Sequence, residues 1–89
     1  MADDFAMVEK TVRATLVDLL GLSRERVAAF DDTTPLFGSL PELDSMAVAT
    51  LLTELEDRLG ISIDDDEVDV EIFETFGALV QFSARKALN

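Results

Sequence analysis

At 89 residues, 48% of them apolar, the chain has the size of one compact domain with a hydrophobic core, not of two domains or a disordered segment. It contains no cysteine and no histidine, which excludes disulfides, thiolate metal sites and a thiol nucleophile, and removes the commonest general base. Nineteen acidic residues against seven basic ones leave a net charge of −12, a balance that repels nucleic acid and anionic lipid.

The opening MADDFAMVEK is acidic where a secretory leader would be basic, and no apolar run approaches membrane-spanning length. The expectation is a single domain over residues 1–89 in a cytoplasmic, soluble protein. Charge is also unevenly placed. Between Val27 and Asp57 there is no Lys or Arg, while Asp31, Asp32, Glu42, Asp44, Glu54, Glu56 and Asp57 fall in that window. Such clustering steers a basic protein partner toward this region.

Along the chain, Phe5, Val8, Val12, Leu16, Leu19 and Leu20 recur at helical spacing, predicting an amphipathic helix over Asp4–Leu20 that Asp3 or Asp4 caps and Gly21 stops. Leu22 to Leu43 is punctuated by Asp31-Asp32-Thr33-Thr34-Pro35, Gly38 and Pro41 and is expected to be a long loop. Its apolar residues Val27, Phe30, Leu36, Phe37, Leu40 and Leu43 predict that it is pinned to the core, and ordered loops of this length lean functional.

A second helix is expected over Asp44–Leu59, capped by Asp44 and stopped by Gly60. One stripe carries Val48, Leu51, Leu52, Leu55 and Leu59, and Met46, Ala49, Thr50, Thr53, Glu56 and Asp57 gather on the other side. After the acidic loop Asp64–Glu67, a brief helix is expected at Val70–Phe73. Thr75 then caps a last helix to Leu88, with Phe76, Leu79, Val80, Ser83, Ala84 and Ala87 on one face. The fold class is therefore all-α: a small antiparallel four-helix bundle of three main helices and one short one, with a long loop between the first and second.

Catalytic constellations fail when tested one by one. None of the serines can be paired with a histidine, and a serine nucleophile requires an activating base. The acidic loop does not fit a calcium-binding EF-hand either: counting from Asp65, Val70 stands at the sixth position, where glycine is required, and Phe76 at the twelfth, where glutamate is. No resident metal is expected. Ser45 is different, because at the first helical position after Asp44 a phosphate ester on its hydroxyl would meet the positive end of the helix dipole. Position alone leaves open whether Ser45 is such an attachment point or a second capping residue.

Asp44-Ser45-Met46, opening a helix after a turn-rich loop, resembles the Asp-Ser-Leu signature of acyl carrier proteins. The similarity covers nearly the whole chain: the first helix ending in Gly21, the Asp32-Thr33-Thr34-Pro35-Leu36 loop, Leu52–Gly60 leading into Ile61-Ser62-Ile63, and the Phe73–Val80 stretch. The resemblance implies a carrier and not an enzyme. A phosphopantetheinyl transferase would attach 4′-phosphopantetheine to Ser45, and the arm's thiol would hold acyl groups as thioesters. Asp44, Met46, Ala49, Thr50, Thr53, Glu54, Glu56 and Asp57 would form the recognition surface. Its partners would be an acyl-loading ligase, an acyltransferase or a ketosynthase with a basic docking surface, and the carrier would act as a monomer.

One departure is informative. Carriers of fatty acid synthesis place acidic residues soon after the serine, whereas here Ala47-Val48-Ala49-Thr50 follow and the first carboxylate after Asp44 is Glu54. Drift on a solvent-exposed face would produce this too, but the preferred reading is a docking surface adapted to a dedicated ligase or transferase. That surface fits a specialised and not a housekeeping carrier of fatty acid, polyketide or related biosynthesis. The Leu36–Leu43 approach resembles that of specialised stand-alone carriers, some linked to exopolysaccharide pathways. Two alternatives stand beside this reading. One is a peptidyl or aminoacyl carrier, although Pro41-Glu42-Leu43 replaces the glycines usual before the serine in that group. The other is an unmodified acidic helical adaptor.

Overall fold

In the computed structural model, which describes residues 2–88, the backbone forms four α-helices in the order α1 (Ala2–Leu20), α2 (Arg24–Ala28), α3 (Ser45–Leu59) and α4 (Phe76–Leu88). Two short 3-10 helices, Asp65–Glu67 and Val70–Phe73, lie between α3 and α4.

The first helix starts earlier than its apolar spacing suggests. Since α1 begins at Ala2, Asp4 lies inside the first turn and is not the cap; the side chain of Asp3 lies outside the described residues. An acidic residue still suits that turn, because it faces the positive end of the helix dipole. At the other end Gly21 turns the chain with a φ of 69°, a conformation costly for residues bearing a Cβ.

The expected long loop is interrupted by α2, a correction to the reading of Leu22–Leu43. Ser23 caps this helix by accepting the amide of Arg26 at 3.1 Å, and Val27 is its buried anchor. A single turn offers too few residues to display a periodicity, so only the cap and one apolar residue could have marked it. Arg13 of α1 holds it in place, donating to the carbonyls of Val27 and Phe30 and pairing with Glu9. Its guanidinium also stacks over the Phe76 ring, 4.5 Å from the centroid.

Beyond α2 the loop is pinned, as its apolar content predicts: Phe30, Leu36, Leu40 and Leu43 are buried, whereas Phe37 stays exposed. Backbone pairing does the rest. Leu36 and Phe37 donate to the carbonyls of Glu74 and Phe73 at 3.0 and 2.9 Å, and Phe76 donates to Thr34 at 2.8 Å. Pro35 and Thr75 form an isolated antiparallel bridge at this seam.

On α3, Leu51 and Leu55 are fully buried while Val48, Leu52 and Leu59 flank the core. The α4 face is buried as expected at Phe76, Leu79, Val80, Ser83 and Ala84, and Phe82 is buried too. Thr75 caps α4 by accepting the amide of Ala78 at 3.1 Å. Each fully buried leucine contributes roughly 1.5–3 kcal/mol relative to exposure. Val12 and Leu16 of α1, Leu36 of the loop, Leu51 and Leu55 of α3 and Leu79 of α4 thus join three helices and the loop around one core. Among the described residues no helix is long and apolar enough to cross a membrane.

Candidate functional site at the start of α3

Asp44 ends the interhelical loop in an extended conformation and caps α3. Its Oδ1 accepts the amide of Ala47 at 2.9 Å, and its carbonyl accepts the amide of Val48 at 2.9 Å. A helix start leaves four amides without intrahelical partners. Of these the Asp44 side chain takes the Ala47 amide, and the other three, on Asp44, Ser45 and Met46, have no acceptor among the described residues. The side-chain cap comes from Asp44 alone, whereas the Ser45 hydroxyl makes no hydrogen bond among the described residues and is exposed. The capping alternative for Ser45 loses its basis.

The other serines are placed differently. Ser23 is spent on capping α2, and Ser83 is buried with its hydroxyl donated to the Leu79 carbonyl at 2.8 Å. Ser39 and Ser62 are exposed, but each lies in a turn or loop and not at a helix start. Beside Ser45 opens a cleft of about 240 Å³ lined by Phe37, Val48, Val68, Asp69, Val70 and Phe73. Apart from Asp69 this wall is apolar. It is drawn from the interhelical loop, α3 and the Val70–Phe73 turn, brought together by the backbone seam at Leu36 and Phe37. Sequence reasoning did not connect these residues to Ser45, although Phe37 and Val70 are large apolar side chains left exposed in otherwise polar segments.

The expected recognition residues separate into groups. Met46 projects into solvent directly after Ser45, and Ala49, Thr50 and Thr53 are exposed along α3. The hydroxyls of Thr50 and Thr53 are donated to the carbonyls of Met46 and Ala49, each at 3.1 Å. Toward the end of α3 the acidity is partly engaged. Glu54 pairs with Arg58 at 2.9 Å, and Arg58 also reaches Asp18 of α1 at 2.7 Å. These two carboxylates raise the pKa of Arg58. Glu56 accepts the amide of Ile63 at 2.7 Å, so it closes the turn after α3 and does not face outward as a free charge. Asp57 is exposed and has no ion-pair partner among the described residues.

The same charge economy holds the acidic loop. Glu67 pairs with Lys86 of α4 at 2.8 Å, and that hydrogen bond holds its carboxyl below the usual range. Among the described residues no cluster of carboxylates converges to hold a metal ion.

The residues present fit a phosphopantetheine arm. Ser45 offers an unengaged hydroxyl for a phosphodiester, free amides lie at the same helix start, and an apolar cleft adjoins them. The chain has no thiol of its own; the arm, when bound, supplies one.

Comparison with known proteins agrees with that geometry. A family model described as a phosphopantetheine attachment site matches residues 10–83. Among solved structures, the chain is similar to a holo acyl carrier protein from Nitrosomonas europaea determined by solution NMR, with 41% identity and a TM-score of 0.81. That match covers 92% of this chain and 96% of the other. No curated protein matches. The all-helical fold, the helix-start serine and these two similarities lead to one conclusion: the chain belongs to the phosphopantetheine attachment-site family, as a non-catalytic carrier of the acyl carrier protein type that takes a covalent 4′-phosphopantetheine.

Proposed function

We propose that Ser45 is the attachment residue and that the cargo is an acyl group, held as a thioester and presented to partner enzymes. The observation that carries the assignment to Ser45 is that Asp44 supplies the side-chain cap while the adjoining Ser45 hydroxyl is exposed and unbonded among the described residues, without a structural task. The base and metal needed for attachment belong to the transferase, which is why a chain without histidine suffices.

In this reading each residue at the site has a definite part. Asp44 fixes the helix start, and so the position from which the Ser45 hydroxyl projects. The amides of Ser45 and Met46 are available to a phosphate on that hydroxyl. Phe37, Val48, Val70 and Phe73 give an apolar surface beside it. Met46, Ala49, Thr50 and Thr53 form a neutral docking face, and Asp57 adds exposed charge farther along.

Acyl cargo is favoured over aminoacyl cargo by the residues before the serine, Pro41-Glu42-Leu43, and by the neighbouring structure, which is named an acyl carrier protein. The neutral early turns of α3 support a dedicated ligase, acyltransferase or ketosynthase instead of general fatty acid synthesis. A loading assay tests the cargo. With the arm in place, acyl ligases should load the chain with carboxylic acids, whereas loading by amino-acid-adenylating enzymes alone would overturn acyl cargo.

A further inference from the structure

Met46 stands where the family signature has leucine, and it is the most exposed large hydrophobic residue of the described chain, at 81%. A leucine there would be chemically inert; a methionine is not. Its thioether lies in solvent, next to the hydroxyl proposed to take the arm, and only its backbone carbonyl is engaged, by Thr50. With no cysteine in the sequence, methionine is the chain's own oxidisable side chain.

We infer that Met46 is a reversible oxidation site that controls docking of the partners acting on Ser45. Hydrogen peroxide supplies one oxygen atom: its O–O bond breaks, an S–O bond forms, the thioether is oxidised to the sulfoxide, and the peroxide is reduced to water. The product is polar and chiral where the reduced side chain is flexible and apolar. Oxidation costs the fold little, because the side chain is exposed. It costs docking more, since a partner that covers Met46 must now desolvate a sulfoxide oxygen. Methionine sulfoxide reductases restore the thioether, which makes the change a switch and not a lesion. The inference rests on the reading of Ser45 as the attachment residue.

Met7, itself 67% exposed on α1, provides an internal comparison because it does not line the cleft beside Ser45. The test uses the full-length chain before arm attachment, treated with hydrogen peroxide and then with catalase to protect the transferase. Mass spectrometry of peptides should show one added oxygen on Met46, and circular dichroism should be unchanged. The kcat/KM for arm attachment should fall about tenfold. Methionine sulfoxide reductases A and B together should restore it. Met46→Leu should be insensitive to peroxide, Met46→Gln should be slow without it, and Met7→Leu should respond as the wild type does. An oxidised wild type that keeps its full rate would overturn the inference, as would a Met46→Leu chain that loses rate equally. An untreated chain that takes no arm would instead remove the reading of Ser45, and the inference with it.

Discussion

The amide of Gly77 donates to the carbonyl of Asp32 at 3.1 Å, tying the first turn of α4 to the interhelical loop at closest backbone range. A Cβ at Gly77 would stand 2.7 Å from that carbonyl oxygen and 2.8 Å from the Asp32 Cα, both of them backbone atoms that cannot swing aside. Glycine is required here by proximity and not by a left-handed backbone. Gly77→Ala is expected to cost about 1–3 kcal/mol, as overpacking of a fitted interior does. At roughly 4–8 °C per kcal/mol for a domain of this size, thermal denaturation will show it plainly.

The seam that Gly77 permits also explains which parts of the site the sequence disclosed. The helix carrying Ser45 was legible because Asp44, the apolar stripe and Gly60 all state it locally. Its cleft was not, because Phe37, Val70 and Phe73 reach Ser45 only through pairing between Leu36–Phe37 and Phe73–Glu74, contacts that no local pattern encodes. The short helix α2 escaped notice for the opposite reason, having one turn and one buried residue. On α3, Arg58 pairs with Glu54 and the Ile63 amide donates to Glu56, contacts that a count of charges along the sequence does not reveal.

Asp44 has two separable tasks, and two substitutions divide them. Asp44→Ala removes the cap and should lower stability by about 1 kcal/mol. Asp44→Asn keeps an oxygen for the Ala47 amide and should melt close to the wild type. If the transferase also reads the carboxylate charge, Asp44→Asn will take the arm more slowly at unchanged Tm, which steady-state kinetics beside a melting curve will show.

Arg13 joins α1, α2 and α4 through two carbonyls, Glu9 and the face of Phe76. A lysine retains the charge but not the planar fork or the stacking, so Arg13→Lys is expected to cost about 1.5–3 kcal/mol, the range for hydrogen bonds to charged groups. Urea denaturation should report the loss as a lower midpoint at constant slope.

Acid should loosen two surface ties before it unfolds the core. Hydrogen bonds from Thr33, with smaller contributions from Thr34, lower the Asp31 pKa, and the Lys86 hydrogen bond lowers that of Glu67. Both carboxyls are lowered on folding, so their contribution is present above the unfolded-state values and is lost as pH falls through the folded ones. The window therefore lies below about pH 4. Carboxyl NMR titration should place both groups below ordinary aspartate and glutamate. Glu67→Gln should remove the acid response of the tie to α4 while sparing the Asp31 turn.

The central claim is that Ser45 alone receives the arm, and intact-protein mass spectrometry tests it most directly. After incubation with coenzyme A, magnesium and a phosphopantetheinyl transferase, the wild type, Ser39→Ala and Ser62→Ala should each gain the mass of one phosphopantetheinyl group, and Ser45→Ala should gain none. A Ser45→Ala chain that still gains that mass, or a wild type that gains nothing with several transferases, would contradict the account.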